Sequence, residues 1–470
     1  MPDSLRWCSR RGRAGSTGPE RLSIRANFAW TVASSIVFQT CQWLIIVMLA
    51  HSAGSALVGR FAFALAVTAP PLLFAAHNLR VALATDAASD FRFADYLILR
   101  VGSLAVTTGG IAVMAMVLCR TRAAALLIIM VALAKCFDSV SDIVYGLLQK
   151  YERMDRIAVS RVVQGVLQTL AINVAFQLTG SLLTAVAVWA TTSGVITLSY
   201  DLLSVLVVVR RHPAEVAWDG VRRCVTRIRA LFGRCLPLAG TAVLSGLIGN
   251  APVYALEHWR SSSDVGVFAA QVRLAAVVGL CFNALTDVAT PRLARYHAGR
   301  QPEFRRLARR MLLIGAGNAL LAVAGTALAG GVLLRFVYGP EYADVGLAVL
   351  LVLAVAGNLV AVVLAAVASA AHRYVIQFRA GVVQLLVTVG IAMALAGRLG
   401  PSGAAIGFLA GQWAYAGLLL FATRRLLMAE QALGEPAPVS GPALPPVAAA
   451  PAPRAEVTVP SSARDATGPN

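Results

Sequence analysis

The stretch LAHSAGSALVGRFAFA, residues 49–64, returns in altered form as LEHWRSSSDVGVFAAQ, residues 256–271. Leu49, His51, Ser55, Gly59, Phe61 and Ala62 match Leu256, His258, Ser262, Gly266, Phe268 and Ala269 at a constant offset of 207 positions. Farther along, ATD at 84–86 faces ATP at 289–291. A repeat of this kind divides the chain into two related halves.

Outward from both copies the sequence is apolar. Of 470 residues, 58% are apolar and 13% charged, with a mean hydropathy of +0.73, whereas a soluble domain carries about 25% charged residues. The chain is therefore an integral membrane protein. About twelve apolar runs have the ~20 residues that cross ~30 Å of hydrocarbon. They are read at 27–50, 57–83, 96–118, 123–148, 158–179, 182–209, 236–257, 264–290, 311–334, 345–370, 374–396 and 402–423. The first follows an Arg-rich head and is too long for a signal-peptide core, so it is read as a span. Six spans per half is an even number, so both halves share one orientation. The expected fold is an all-α membrane protein of two six-helix bundles, related by a pseudo-two-fold along the membrane normal with a cavity between them.

The net charge of +19 could suggest nucleic acid, but no nucleic-acid partner is expected. The arginines sit between apolar runs, where membrane lipids account for them. The head carries Arg6, Arg10, Arg11, Arg13, Arg21 and Arg25; further arginines gather after spans 4, 6 and 8, while the alternate connections are short and nearly bare. Both termini are thus expected on the cytoplasmic side. The organisation reads as a basic N-terminal segment at 1–26, bundles at 27–209 and 236–425, an amphipathic cytoplasmic linker at 210–235 and a disordered Pro/Ala-rich tail at 426–470. Residues 292–310 repeat the linker's mixture of arginine and apolar residues, which suits either a helix in the headgroup region or a solvated basic linker.

Charge inside the spans is the candidate chemistry. In KCFDSVSDIVYGLLQKYERMDR, residues 135–156, Lys135, Asp138, Asp142, Tyr145 and Gln149 fall on one stripe of a helix, less than a quarter of its circumference wide. Ionisable groups at that depth face a bundle interior or a watery cavity. The stripe either lines a translocation cavity or forms a Lys135–Asp138 latch within one bundle. Arg273 lies mid-span in the eighth run, placed either to hold anionic cargo or to pair with Asp138 or Asp142 across the halves. Arg60 and Arg80 lie near span ends, where they snorkel to the interface or guard cavity mouths. Kinks are expected at Pro70, Pro71 and Pro252, and close helix packing along the small-residue run at 315–331.

Several classes are disfavoured. The seven cysteines and six histidines show no disulfide, metal or triad grouping, and no cofactor is expected. The only lysines, Lys135 and Lys150, follow Ala134 and Gln149, so the chain lacks a phosphate-cradling GxxxxGK[ST] loop.

VGRFAFALAVTAPPLLFAAHNLRVALATD (58–86), DSVSDIVYGLLQKYERMDRIAVSR (138–161), VGVFAAQVRL (265–274) and RFVYGPEYADVGLAVLLVLA (335–354) resemble a known family. It is that of the polysaccharide transporters and O-antigen flippases of the multidrug/oligosaccharidyl-lipid/polysaccharide exporter superfamily. The resemblance implies a flippase, not an enzyme, in the bacterial cytoplasmic membrane. Its cargo would be an undecaprenyl-pyrophosphate-linked oligosaccharide, and a polysaccharide polymerase or glycosyltransferases would be further partners. A multidrug or metabolite antiporter of the same superfamily, and a membrane polysaccharide polymerase or ligase, stand as alternatives.

Overall fold

The computed structural model describes residues 24–86, 90–217, 220–298, 303–371 and 373–432. The head and nearly all of the Pro-rich tail lie outside these residues, and so does the expectation of a disordered tail. Every regular element among the described residues is helical. The first half comprises α1 (Ile24–Ala76), α2 (Leu79–Thr85), α3 (Phe93–Leu118), α4 (Arg122–Lys150), α5 (Met154–Thr179), α6 (Leu182–Ile196) and α7 (Leu202–Val209). The second comprises α8 (Val221–Trp259), α9 (Ser262–Ala298), α10 (Glu303–Tyr338), α11 (Val345–Ala370), α12 (Tyr374–Leu399) and α13 (Pro401–Ala432).

Among the described residues, ten stretches are long and apolar enough to cross a membrane, the first of them running from Ala29 to Thr85. That stretch passes twice, and α9 must cross between α8 and α10. The chain therefore crosses twelve times, in two bundles of six. Among the described residues, one end of the molecule carries the connections at 90–92, 151–153 and 210–217, the arginine-rich face; the other carries those at 119–121, 180–181, 260–261, 339–344 and 400, the bare face.

The first two spans are one helix bent at a single residue. Gly54 has φ 73° and ψ 172°, outside the helical region and open to glycine without strain. Its counterpart at the repeat offset is Ser261, in the break between α8 and α9. Both halves thus turn at the same place by different means. Pro70, Pro71 and Pro252 lie inside continuous helical segments. Proline's φ suits a helix, and the lost hydrogen bond did not break these segments. The linker also differs from a separate surface helix: beyond a 3-10 turn at Pro213–Val216 it runs directly into the seventh span as the start of α8. Likewise, what is described of 292–310 forms the ends of α9 and α10.

The repeat residues themselves meet at the centre of the bare face. A Cβ placed on Gly59 would strike the Ser262 carbonyl, and one on Gly266 would strike that of Ser55. These are matched positions in the two copies, so the pseudo-two-fold passes between Gly59 and Gly266. Around this contact the Ser55 and Ser263 hydroxyls share a hydrogen bond, Trp43 donates to the Tyr338 hydroxyl at 2.7 Å, and His51 lies 2.9 Å from the Val337 carbonyl. Below it, Pro70 and Leu73 of α1 pack on Gly246 of α8. The small-residue run at 315–331 is less used than expected: Gly317 and Gly325 face open space, and Leu320, Leu321 and Leu328 are exposed. The closest helix approach elsewhere is of Gly403, Gly407 and Gly411 on α13 to Leu395, Ala392 and Thr388 on α12.

On the arginine-rich face the linker is tied to the first half. Buried Glu215 accepts from Lys150 at 2.7 Å, from the Tyr151 hydroxyl at 2.8 Å and from the Phe93 N–H at 2.9 Å. Burial alone would push its pKa up, but these hydrogen bonds and the Lys150 charge outweigh that and hold it below the ordinary value. Arg227 reaches Asp95 at 2.8 Å.

Gly59→Leu should separate the halves at the bare face. A Ser55→Cys/Ser263→Cys pair is expected to cross-link under mild oxidation and to lose most of that product when Gly59→Leu is added, as read on a non-reducing gel. An undiminished product contradicts the contact.

Candidate functional site

The polar stripe on α4 divides into two parts by what faces it. Toward the middle of the membrane, Asp138 accepts from Lys135 at 3.1 Å, Gln164 at 2.8 Å and Gln168 at 2.9 Å. The Lys135 ammonium also lies 4.9 Å from the centre of the Trp189 ring. Gln168 continues to Ser193, and Gln42 of α1 donates to Gln168. Tyr145 shares a hydrogen bond with Ser160, which donates to Asp201 at 2.6 Å. The Lys135–Asp138 pair is therefore built as a latch, with all its partners inside the first bundle.

Asp201 reaches this network because the sixth span contains a π-helical turn at Thr197–Asp201. The extra residue rotates Thr197 onto Ser141 and Asp201 onto Ser160. Asp201 is sealed, at 0% exposure.

Asp142 has different company. It lies about 12 Å inside the membrane from Lys150, eight residues up α4. Arg80 donates to it at 3.1 Å and Arg100 at 3.3 Å. Arg80 is aimed there by two local features. His77 and Asn78 adopt left-handed φ of 46° and 52°, which break α1 and restart the chain as α2. Gly146 on α4 then lets the Arg80 backbone approach closely, since a Cβ would sit 3.2 Å from the Arg80 Cα. The second Arg80 nitrogen lies 3.5 Å from Gln149, and its guanidinium is 5.7 Å from the Tyr145 ring centre.

A third guanidinium completes the group. Arg161 of α5 donates to Ser35 of α1 at 3.3 Å, lies against the Phe38 ring at 5.4 Å, and feels the charges of both Arg80 and Asp142. Arg80 and Arg100 thus share the Asp142 carboxylate, and Arg161 adds a further positive charge nearby on α5. Counting Lys135, Asp138 and Asp201, the whole cluster still holds four cations against three carboxylates. Arg100 is buried, Arg80 and Arg161 are partly exposed, and the Asp142 side chain is 37% exposed. This is a partly exposed, net-positive group within a membrane bundle, and guanidinium is chemically suited to an anion with several oxygens.

Arg273 stands apart from this cluster. It is exposed, eleven residues into α9, and lies within electrostatic reach of the Tyr338 hydroxyl beneath the Trp43–Tyr338 contact. The described partners of Asp138 and Asp142 all come from the first half, so Arg273 does not pair across the halves with either. Arg60 is exposed at the bare face, near Glu257 of the other half. No group of three or more His, Cys, Asp or Glu able to hold a metal occurs among the described residues.

Sequence reasoning missed Arg100, Arg161 and Asp201. A signal for Arg161 was present: Ser160, Gln164 and Gln168 recur every four residues on α5 and face the α4 stripe, with Arg161 at their edge. Arg100 and Asp201 are single charges in apolar runs, and only tertiary placement gives them partners.

A family model described as polysaccharide biosynthesis protein matches residues 24–297. The capsular polysaccharide biosynthesis protein CapF of Staphylococcus aureus is 22% identical over 319 residues, covering 68% of this chain and 78% of that protein. Among solved structures, the inward-facing conformation of a multidrug resistance MATE family transporter of the MOP superfamily is similar, with a TM-score of 0.66 at 14% identity, over 85% of this chain and 96% of that one. The lipid II flippase MurJ in an inward closed conformation gives 0.67 at 10% identity, over 84% and 87%. At such identities the structural likeness is one of fold.

Asp142→Asn removes the one carboxylate that Arg80 and Arg100 share. It should lower stability by about 1–2 kcal/mol, the modest cost of taking a counter-charge from a pair that water partly reaches. Thermal unfolding of the purified protein would read this, and Asp142→Asn/Arg100→Met should regain part of the loss. An unchanged melting temperature in the single variant contradicts the pairing.

Proposed function

The chain belongs to the polysaccharide biosynthesis protein family, and from that premise we propose that it is a flippase for a lipid-linked oligosaccharide. The cargo is an undecaprenyl-pyrophosphate-linked glycan, moved from the cytoplasmic to the periplasmic leaflet of the bacterial inner membrane. In this reading the arginine-rich face is cytoplasmic, as are both termini.

The observation that carries the reading is the surplus of guanidinium around Asp142. A pyrophosphate would supply charge and oxygen acceptors to Arg80, which shares the Asp142 carboxylate with Arg100, and to Arg161, which donates to the neutral Ser35 hydroxyl. Planar, permanently charged guanidinium suits such bidentate binding. The cargo headgroup enters from the cytoplasmic side and displaces part of the Arg80–Asp142 contact. Arg100, buried and bonded to Ser139 at 3.0 Å as well as to Asp142, stays in place as a fixed positive wall. Arg273, nearer the bare face, is the next positive group along the path. Rocking of the halves about the Gly59–Gly266 contact would open the bare face and close the other.

The same charge count weighs against the alternatives. An antiporter of organic cations needs a surplus of carboxylate at its site, and the surplus here has the opposite sign. A polymerase or ligase working on the periplasmic side needs catalytic groups there, commonly on a long loop. Among the described residues the bare-face connections at 119–121, 180–181, 260–261 and 339–344 are two to six residues long.

In cells, Arg80→Ala/Arg161→Ala and Arg273→Ala should each abolish surface glycan without lowering the amount of protein in the membrane. Arg161→Lys should export at a reduced rate, since an ammonium keeps the charge but loses the fork. Full export by all three variants overturns the assignment.

A further inference from the structure

The second half contains a cavity that the charged cluster does not explain. Helices α8, α11, α12 and α13 enclose about 780 Å³, with no charged residue on the wall. That volume lies within the range of ~300–1,000 Å³ usual for ligand pockets. Its polar groups are carboxamides and hydroxyls: Asn358, Gln377, Gln384 and Gln412, with Ser245 and Tyr415. Phe378 and Phe408 add aromatic faces.

Two of these amides are deeply placed, Gln384 at 6% exposure and Gln412 at 7%. Gln412 contributes to the cavity wall, and its own carboxamide oxygen is closed off from the cavity and has no hydrogen-bond partner. Gln377 is held in position by donating to the Ala365 carbonyl at 3.2 Å and the Ser369 hydroxyl at 2.9 Å.

The lining chemistry selects among ligands. A phosphate would require arginine or lysine, and an organic cation a carboxylate; the wall offers neither. A polyprenyl chain would bury the amides against hydrocarbon with nothing to bond. An uncharged sugar brings hydroxyl donors for amide oxygens, acceptors for amide N–H groups, and C–H faces for aromatic rings.

We infer that this cavity binds uncharged sugar units of the cargo, while the Asp142 cluster in the other half binds its pyrophosphate. The inference rests on the flippase reading above and adds to it a second, separate grip. Pro237, Leu238 and Tyr374 place the mouth at the arginine-rich ends of α8 and α12, the same face from which the phosphate site is reached. A cargo held in both places bridges the two halves, and the sugar contacts select which glycan is moved.

The test uses the full chain in lipid nanodiscs and two probes: bare undecaprenyl pyrophosphate, and the mixed undecaprenyl-pyrophosphate glycans extracted from the source cells. Captured lipids are measured by mass spectrometry. Gln384→Leu/Gln412→Leu, and independently Ser245→Phe, which fills the cavity, should each reduce capture of sugar-bearing lipid by about tenfold or more while bare carrier binds as in the wild type. Retained carrier binding shows that the variants are folded. Arg80→Ala/Arg161→Ala should lose both probes. Capture of sugar-bearing lipid within about twofold of wild type by both cavity variants overturns the sugar site and leaves the flippase reading intact, a cavity holding only water being then the result. Failure of the wild type to capture either probe overturns both.

Discussion

A carboxylate bonded to two guanidiniums, with a third arginine nearby, some 12 Å inside a transmembrane helix, is the constraint to which the rest of this protein answers. In hydrocarbon such a surplus of charge is untenable. It is sustained by a bundle that supplies polar neighbours on its inner side and access to water on the other. The α4 stripe is built accordingly. Its deeper part, Lys135 and Asp138, is neutralised and tied down by Gln164 and Gln168. Its shallower part, Asp142, is left partly exposed and outnumbered. The first part is tied down within the bundle, and the second leaves a surplus of positive charge.

A wet site open at one face requires a seal at the other, and the repeat provides it. Gly59 and Gly266 allow the halves to touch backbone to backbone, and Trp43, Tyr338 and His51 close around them. Small residues at the axis make a contact that is tight but holds no large interlocking side chain, a suitable pivot for two rigid bundles. On the arginine-rich face the halves are joined instead through α8 and the Glu215 connection. Half-to-half contact thus includes the Gly59–Gly266 approach, the packing of α8 on Pro70 and Leu73 of α1, and the Arg227–Asp95 pair.

Much of this was legible in the sequence. The twelve runs, the even count per half and the repeat at offset 207 follow from spacing alone, and they led to the two-bundle fold. The α4 stripe was legible because helical periodicity places Lys135, Asp138, Asp142, Tyr145 and Gln149 together whatever the partner helices do. What periodicity cannot supply is the identity of the partner. Arg100 and Arg161 belong to Asp142 only once α3 and α5 have packed on α4, and Arg80 turns toward it only because the chain breaks at His77–Asn78. A break in α1 falls at Gly54, where φ is positive, a position that the apolar spacing alone does not mark. The glycines of 315–331 were equally ambiguous, since small residues can face a neighbouring helix or lipid, and packing alone decides which.

The central claim is that the anion site communicates with water at one face only. Ser35, the α1 residue that accepts a hydrogen bond from Arg161, is the most direct reporter. In a cysteine-free background, Ser35→Cys should react with a membrane-impermeant thiol reagent applied from the arginine-rich side and stay inert from the other, with undecaprenyl pyrophosphate slowing the reaction. A thiol inert from both sides, or labelled equally from each, contradicts the account.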